Sequence, residues 1–474
     1  MRSTRTTRPA HPTQPTHPDQ PAHVPHLTGS AAATRRPART TAVLSTALLA
    51  LSLGVLPAHA ADATGAASAS AVALHHRPAL DREALRGSLD AFHAAGMYGA
   101  FAAVRDGSER WRGATGLADP AGGRPMAPGF EHRVGSITKT FTAVALLQQV
   151  ERGRIDLDAP VGRYLPDLVT GERGEKVTVR MLLNHTSGIA DYILPAFPGL
   201  LQDPGRTLDE NRLRRIAPEE LARLGLAAPP VKERGTHSYS NTNYILAGLI
   251  LERVSGQDPE AYITRHVIRR AGLRHTYFPA SPSIKGPHAG MYESFFGLID
   301  PPRDYSTYDM SWGGTAGALV STTDDLNTFY RKLLGGRLLG PAALRAMKTT
   351  VPAYETEPGE EALMRYGLGL YTLKMPSGGW YWGHDGAVFG AGTWSLATED
   401  GRRQVTVAWN LMKYQRFDEQ GRPLPDPVTP ALYAFVDGAL SGRAPAPAEG
   451  LRSAAPPAPA DLPPLVDRLP GVRH

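Results

Sequence analysis

In this 474-residue chain, strand-like segments cluster near the two ends of the body, and that placement limits the architecture more than any other feature. Gly99–Arg105 and Trp111–Leu117 flank the turn Asp106-Gly107-Ser108 and read as a hairpin. Some 250 residues later come Tyr366–Leu373, Trp380–Gly383, Gly392–Ala397 and Gln404–Trp409, separated by turns rich in Gly and Asp. The long middle, about 137–350, is mostly helical in pattern. Strands split in this way can share a core if both chain ends build one antiparallel sheet and the middle is a helical insert. That arrangement fits the α+β class or a composite α/β domain, and the α+β class is expected. Leu85, Leu89 and Phe92 recur at helical spacing before the first strand, and a last helix is expected over about Pro427–Leu440.

The charge balance separates a leader from this body. Residues 1–60 carry six arginines (Arg2, Arg5, Arg8, Arg35, Arg36, Arg39) against Asp19, so +5 of the net +6 belongs to them and +1 remains for the rest. A nearly neutral body offers no electrostatic footprint for nucleic acid. Arg35, Arg36 and Arg39, the apolar stretch Ala42–Leu56, and Ala58-His59-Ala60 together read as an export signal over 1–60, cut near Ala60. The apolar run is shorter than the roughly 18–20 residues a bilayer requires, so a secreted protein without a membrane anchor is expected. The Pro- and His-rich residues 1–34 and the Ala/Ser linker 61–78 show no apolar periodicity. The Ala/Pro-rich tail 441–474 is likewise expected to lie outside the folded domain at 79–440. The chain has no cysteine, which excludes disulfides, thiol nucleophiles and cysteine-bound zinc. With 42% hydrophobic residues, the core alone can hold a domain of this size.

Three short motifs carry the chemistry. Ser136-Ile137-Thr138-Lys139 sits where an apolar helical pattern begins and runs to a stop at Gly153. Residues three apart share a helix face, so the Lys139 amine can reach the Ser136 hydroxyl. A serine hydroxyl is a weak nucleophile until a neighbour takes its proton. An amine does so only when its pKa is lowered. Alone, Ser-x-x-Lys arises about once or twice by chance in a chain this long, and it also describes a capping serine followed by a surface lysine. Tyr239-Ser240-Asn241 supplies a phenol suited to moving protons and an amide that donates and accepts. His384-Asp385-Gly386, after the expected strand Trp380–Gly383, supplies an imidazole that brings positive charge when protonated. Its glycine lets a substrate backbone lie close.

In this order and spacing the motifs resemble the active site of the penicillin-recognising serine hydrolases, the superfamily of class C β-lactamases and exocellular D-alanyl-D-alanine carboxypeptidases. Gly153-Arg154-Ile155-Asp156-Leu157-Asp158-Ala159-Pro160, Val179-Arg180-Met181-Leu182-Leu183-Asn184-His185-Thr186-Ser187-Gly188 and Ala316-Gly317-Ala318-Leu319-Val320-Ser321-Thr322 are also similar to that family. The resemblance covers about residues 80–440 and implies a β-lactamase/transpeptidase-like fold. It implies a serine hydrolase working through an acyl-enzyme, foremost of the D-alanyl-D-alanine carboxypeptidase type. Ser136 would attack, Lys139 and Tyr239 would move the proton, and Asn241 and His384 would orient and polarise. The Ser136 and Ala387 amides would form the oxyanion hole. No metal or cofactor is expected, and a monomer acting on a small molecule or peptide is. His185, closing a helix before glycine, reads as a cap or a satisfied core group.

The sequence departs from the carboxypeptidase pattern where such enzymes grip a substrate carboxylate. Asp385 and Ala387 stand at the hydroxyl positions, and Tyr371 stands about where an arginine is usual. An ionised Asp385 within about 4 Å of a carboxylate costs a few kcal/mol even when partly screened. An esterase, a D-aminopeptidase or amidase, a β-lactamase, or a penicillin sensor that never deacylates therefore stand as alternatives. Asp385, Gly386, Ala387, Trp312 and Tyr371 are the candidate substrate contacts. Trp312 ends an aromatic-rich segment with Tyr292, Phe295, Phe296, Tyr305 and Tyr308, which can line a cleft or cover the core. No Gly-x-Ser-x-Gly elbow, His-Glu-x-x-His pair or phosphate-binding loop occurs.

Overall fold

The computed structural model describes residues 80–354, 361–412 and 424–442. The leader at 1–60, the linker at 61–78 and nearly all of the tail lie outside the described residues. Nine antiparallel strands form the main sheet. They are β1 (Gly99–Asp106), β2 (Glu109–Asp119), β3 (Arg124–Pro125), β4 (Val351–Tyr354), β5 (Met364–Tyr366), β6 (Tyr371–Lys374), β7 (Trp380–Val388), β8 (Ala391–Ala397) and β9 (Arg403–Trp409). Their order is β3-β2-β1-β9-β8-β7-β6-β5-β4, so the two chain ends meet where β1 pairs with β9, Val104 opposite Val405. This is the α+β, β-lactamase/transpeptidase-like arrangement with a helical insert.

Side-chain alternation assigns the two sheet faces. Val405, Val407 and Trp409 on β9 join the core formed with α1 (Arg82–Ala94), which buries Leu85, Leu89 and Phe92. The C-terminal helix Val428–Ser441 completes that layer, with Tyr433 edge-on to Trp394. On the opposite face Thr406 donates to Asn327 Oδ1 at 2.8 Å. Asn327 belongs to the helix Thr323–Leu334 of the insert, and its amide reaches the Ala103 carbonyl at 2.9 Å.

Two strands differ from the sequence reading by more than a residue or two, and one of them matters for the site. Tyr366–Leu373 is not a single strand. Gly369 takes φ +76°, where an added Cβ would sit 2.5 Å from the Ala143 Cβ, and the chain folds back there into β5 and β6. Conversely, the strand expected to stop at Gly383 runs on to Val388, so His384-Asp385-Gly386 lies inside β7. Strand β6 pairs with β7 only as far as Gly383, whereas β8 follows β7 through Val388. Past Gly383 the β7 edge away from β8 therefore lies outside the β6 pairing, and the turn Gly135–Ile137 packs against this part of the strand.

Candidate active site

Helix α2 (Thr138–Glu151) is the structural reason Ser136 and Lys139 meet. A short 3-10 turn, Gly135–Ile137, precedes it and carries Ser136, so the serine stands just outside the helix rather than within its first turn. Ser136 is half-buried, while Thr138 through Gln149 are all buried. Polar side chains on a helix buried all round need partners. Thr140 donates to the Gly369 carbonyl at 2.6 Å and Thr142 to the Thr315 carbonyl at 2.8 Å. Lys139 donates to Ser136 Oγ at 3.0 Å, Asn241 Oδ1 at 2.7 Å and the Ala316 carbonyl at 2.8 Å. Burial lowers its pKa to about 7, against the raising influence of Asp191 and Asp385.

The helix α3 (Asn241–Ser255) starts immediately after Tyr239-Ser240 and aims both motif residues at this amine. Lys139 Nζ lies 4.8 Å from the centre of the Tyr239 ring. Tyr239 is 4% exposed; burial raises its phenol well above the usual value, and the nearby Ser136 hydroxyl opposes that rise. The serine, amine and phenol are thus gathered from positions about a hundred residues apart. Asn241 is oriented by Asp191, which the sequence reading missed. The Asp191 carboxylate accepts from the Asn241 backbone amide at 2.7 Å, from Asn241 Nδ2 at 2.8 Å and from the Ile193 amide at 2.8 Å. With its amide nitrogen held there, Asn241 must present its carbonyl oxygen to Lys139. No sequence signal pairs residues 191 and 241; a loop after Thr186-Ser187-Gly188 carries the acid in.

Gly386 places β7 against the backbone of Val134 and Ser136. A Cβ on Gly386 would fall 1.9 Å from the Val134 carbonyl oxygen and 2.8 Å from the Ser136 amide nitrogen. A Cβ on Gly135 (φ +51°) would fall 2.6 Å from the Ala387 amide nitrogen. Close backbone approach needs glycine on both sides, and it sets the Ser136 and Ala387 amides beside one another. His384 is fully buried beside Tyr239, with ring centres 6.5 Å apart. Burial lowers its pKa to about 4, so it is neutral at pH 7 and supplies polarity without positive charge. Its Nδ1 donates to the Asp385 carbonyl at 2.5 Å, leaving Nε2 to accept from the Tyr366 hydroxyl at 2.7 Å.

The remaining candidates separate. Asp385 is 4% exposed, and its charge acts on Lys139 and Tyr239. Tyr371 is buried rather than at the cleft surface: it is 1% exposed, its hydroxyl accepts from Trp394 Nε1 at 2.8 Å, and its ring packs 5.2 Å from that of His384. Trp312 packs 5.0 Å from Phe389 and 5.9 Å from Phe197, and its carbonyl accepts from Tyr192. Phe389 follows β7, so this aromatic group continues from the end of the strand that carries Ala387. Tyr305 and Tyr308 cover the core, both nearly inaccessible.

The beta-lactamase family model matches residues 82–425. The chain belongs to the beta-lactamase family. This family member is 39% identical to a D-stereospecific amidohydrolase from Streptomyces sp., with a TM-score of 0.64 over 70% of this chain and 94% of that one. It is 25% identical to a D-amino acid amidase from Ochrobactrum anthropi SV3, with a TM-score of 0.63 over 76% and 98% of the two chains. Esterase EstB of Burkholderia gladioli is 35% identical over 38% of this chain. The putative penicillin-binding protein PbpX of Bacillus subtilis is 27% identical over 50% of it. The matches span 47% and 53% of those two curated relatives. Motifs, fold and family together make the protein a serine hydrolase of the penicillin-recognising superfamily. Among the described residues no cluster suited to a metal ion occurs, and no helix is long and apolar enough to cross a membrane.

Proposed function

We propose that this hydrolase is exported and cleaves amides or esters of D-configured amino acids through an acyl-enzyme on Ser136. The observation that carries the reading is the Ser136–Lys139–Tyr239–Asn241 cluster built beside a strand whose third motif bears Asp385 and Ala387 in place of hydroxyls. A cleft wall with that acid disfavours a substrate carboxylate next to the scissile bond. It accommodates an uncharged amide or ester, and a cationic amine on the acyl side. The likeness to a D-stereospecific amidohydrolase and a D-amino acid amidase supports the same reading. The aromatic group of Trp312, Phe389 and Phe197 suits an apolar acyl side chain.

The geometry orders the proton transfers. Neutral Lys139 has two N–H bonds, and the Asn241 and Ala316 oxygens take them, so its lone pair faces Ser136 Oγ. As Oγ bonds to the substrate carbonyl carbon, its proton passes to Lys139, and the carbonyl oxygen gathers charge between the Ser136 and Ala387 amides. Tyr239, kept neutral by burial, donates its proton to the leaving nitrogen as the C–N bond breaks, and Lys139 returns one to the phenol. Water then repeats the sequence on the acyl-enzyme, releasing the acid and restoring Ser136.

The test is a substrate panel on the full chain and a Ser136→Ala control: D- and L-phenylalanine amide, a p-nitrophenyl ester, D-alanyl-D-alanine and a fluorescent penicillin. The D-amide should turn over and D-alanyl-D-alanine should be slower by about tenfold or more, given a repulsion of a few kcal/mol. Equal rates on the two would establish a carboxypeptidase instead. Lasting penicillin label without turnover of any substrate would establish a sensor.

A further inference from the structure

Behind Tyr239 lies a residue whose arrangement exceeds what a helix end requires. His185 adopts φ +60°, uncommon for a residue with a side chain, and is fully buried. Its backbone carbonyl accepts from the Ser238 amide at 2.7 Å. Its Nδ1 accepts from the Ser240 amide at 3.2 Å and from Asn243 Nδ2 at 3.1 Å. The amide orientation of Asn243 is itself set, since Ser187 donates to Asn243 Oδ1 at 2.7 Å. Two N–H donors converging on Nδ1 require a lone pair there, so the ring is neutral with its proton on Nε2. The ring lies 4.1 Å from the Tyr239 ring, tilted by 33°. One residue therefore holds both neighbours of Tyr239, Ser238 through its backbone carbonyl and Ser240 through its ring, and that ring covers one side of the phenol ring.

We infer that His185 is a positioning residue for Tyr239, with the Nδ1 acceptor holding the phenol on the line between Ser136 and the leaving group. The inference rests on the proton path given above. Burial and the neighbouring His237, Lys139 and His384 hold the imidazole well below its usual pKa, in keeping with the acceptor role. The acceptor, rather than the bulk of the ring, is the working part. Asparagine tests this directly, because its Oδ1 takes the place of Nδ1 and it tolerates positive φ. Phenylalanine keeps the ring and removes the acceptor.

The experiment compares D-phenylalanine p-nitroanilide with the p-nitrophenyl ester of the same acyl group. The anilide nitrogen must gain a proton to leave, whereas p-nitrophenolate leaves without one. His185→Phe should lower kcat on the anilide by about 100-fold and on the ester by about tenfold or less, with KM within about threefold. His185→Asn should recover the anilide rate to within about fivefold of wild type. Asn243→Ala, which leaves the ring in place and removes one donor, should show the same bias at smaller amplitude and serves if His185→Phe does not fold. Equal losses on both substrates in variants with wild-type melting temperatures would overturn the positioning role, as would an asparagine variant no better than phenylalanine. Tyr239→Phe runs alongside: if it shows no anilide bias, the proton path itself fails, and the inference falls with it.

Discussion

At the scale of single residues, the site is governed by how many donors and acceptors surround one amine. Lys139 makes three hydrogen bonds to oxygen as an ammonium, and on becoming neutral it accepts from Ser136 instead of donating to it. Activity should therefore rise with pH through about 7, because the neutral amine is the base and lowering the pH protonates it. The Asp191 charge raises the lysine pKa, so removing it shifts this limb the other way. In Asp191→Asn the acid limb of the kcat/KM profile should move to lower pH. At the same time kcat should fall by about 10- to 100-fold, since the Asn241 amide is no longer held in one orientation. A pH–rate profile of both proteins checks the two statements together; a limb moving to higher pH would contradict them. Ser136 and Lys139 could be read from sequence because their contact is local, three residues apart. Asp191 could not, because its partner lies 50 residues on and a lone Asp after a turn resembles any other.

Between elements, the decisive contact is β7 against the turn at Ser136. The glycine at 386 is required by the neighbouring chain rather than by its own conformation. Gly386→Ala should push the strand from the Val134 carbonyl and spoil the paired amides, lowering kcat by about 100- to 1000-fold, the usual cost of an oxyanion donor. Far-ultraviolet circular dichroism should stay unchanged, and a variant retaining full kcat would refute the assignment of Ala387 to the oxyanion hole. Local pattern identified α1 well, because one face packs and the other meets water. It misjudged β7, because a strand buried on both faces shows no alternation to mark its end. It also merged β5 with β6, since a reversal at Gly369 leaves little trace in hydrophobicity.

At the scale of the whole molecule, four imidazoles among the described residues are held neutral by burial. The pKa of His132 falls to about 3, those of His237 and His384 to about 4, and that of His185 well below its usual value, in every case foremost through burial. In the unfolded chain each would take up a proton near pH 6.5. Between pH 6.5 and about 4 the unfolded state thus binds more protons, so stability is greatest above that range and falls as pH is lowered through it. Each histidine contributes a slope of up to about 1.4 kcal/mol per pH unit. Urea midpoints measured from pH 7 to 4 should decline accordingly, and His237→Gln should decline less steeply; a flat profile would contradict this. By itself the sequence determined the α+β class and the family, and it pointed to Ser136, Lys139 and Tyr239 as the residues to propose as nucleophile, amine and phenol. Those follow from local periodicity and from motifs whose spacing the chain carries in itself. The tertiary structure alone decided that His384 is uncharged, that Tyr371 is buried against Trp394 and His384, and that Asp191 and His185 stand beside Asn241 and Tyr239. Charge state and aim depend on burial and on partners distant in the chain, which arise when the sheet closes over the helical insert.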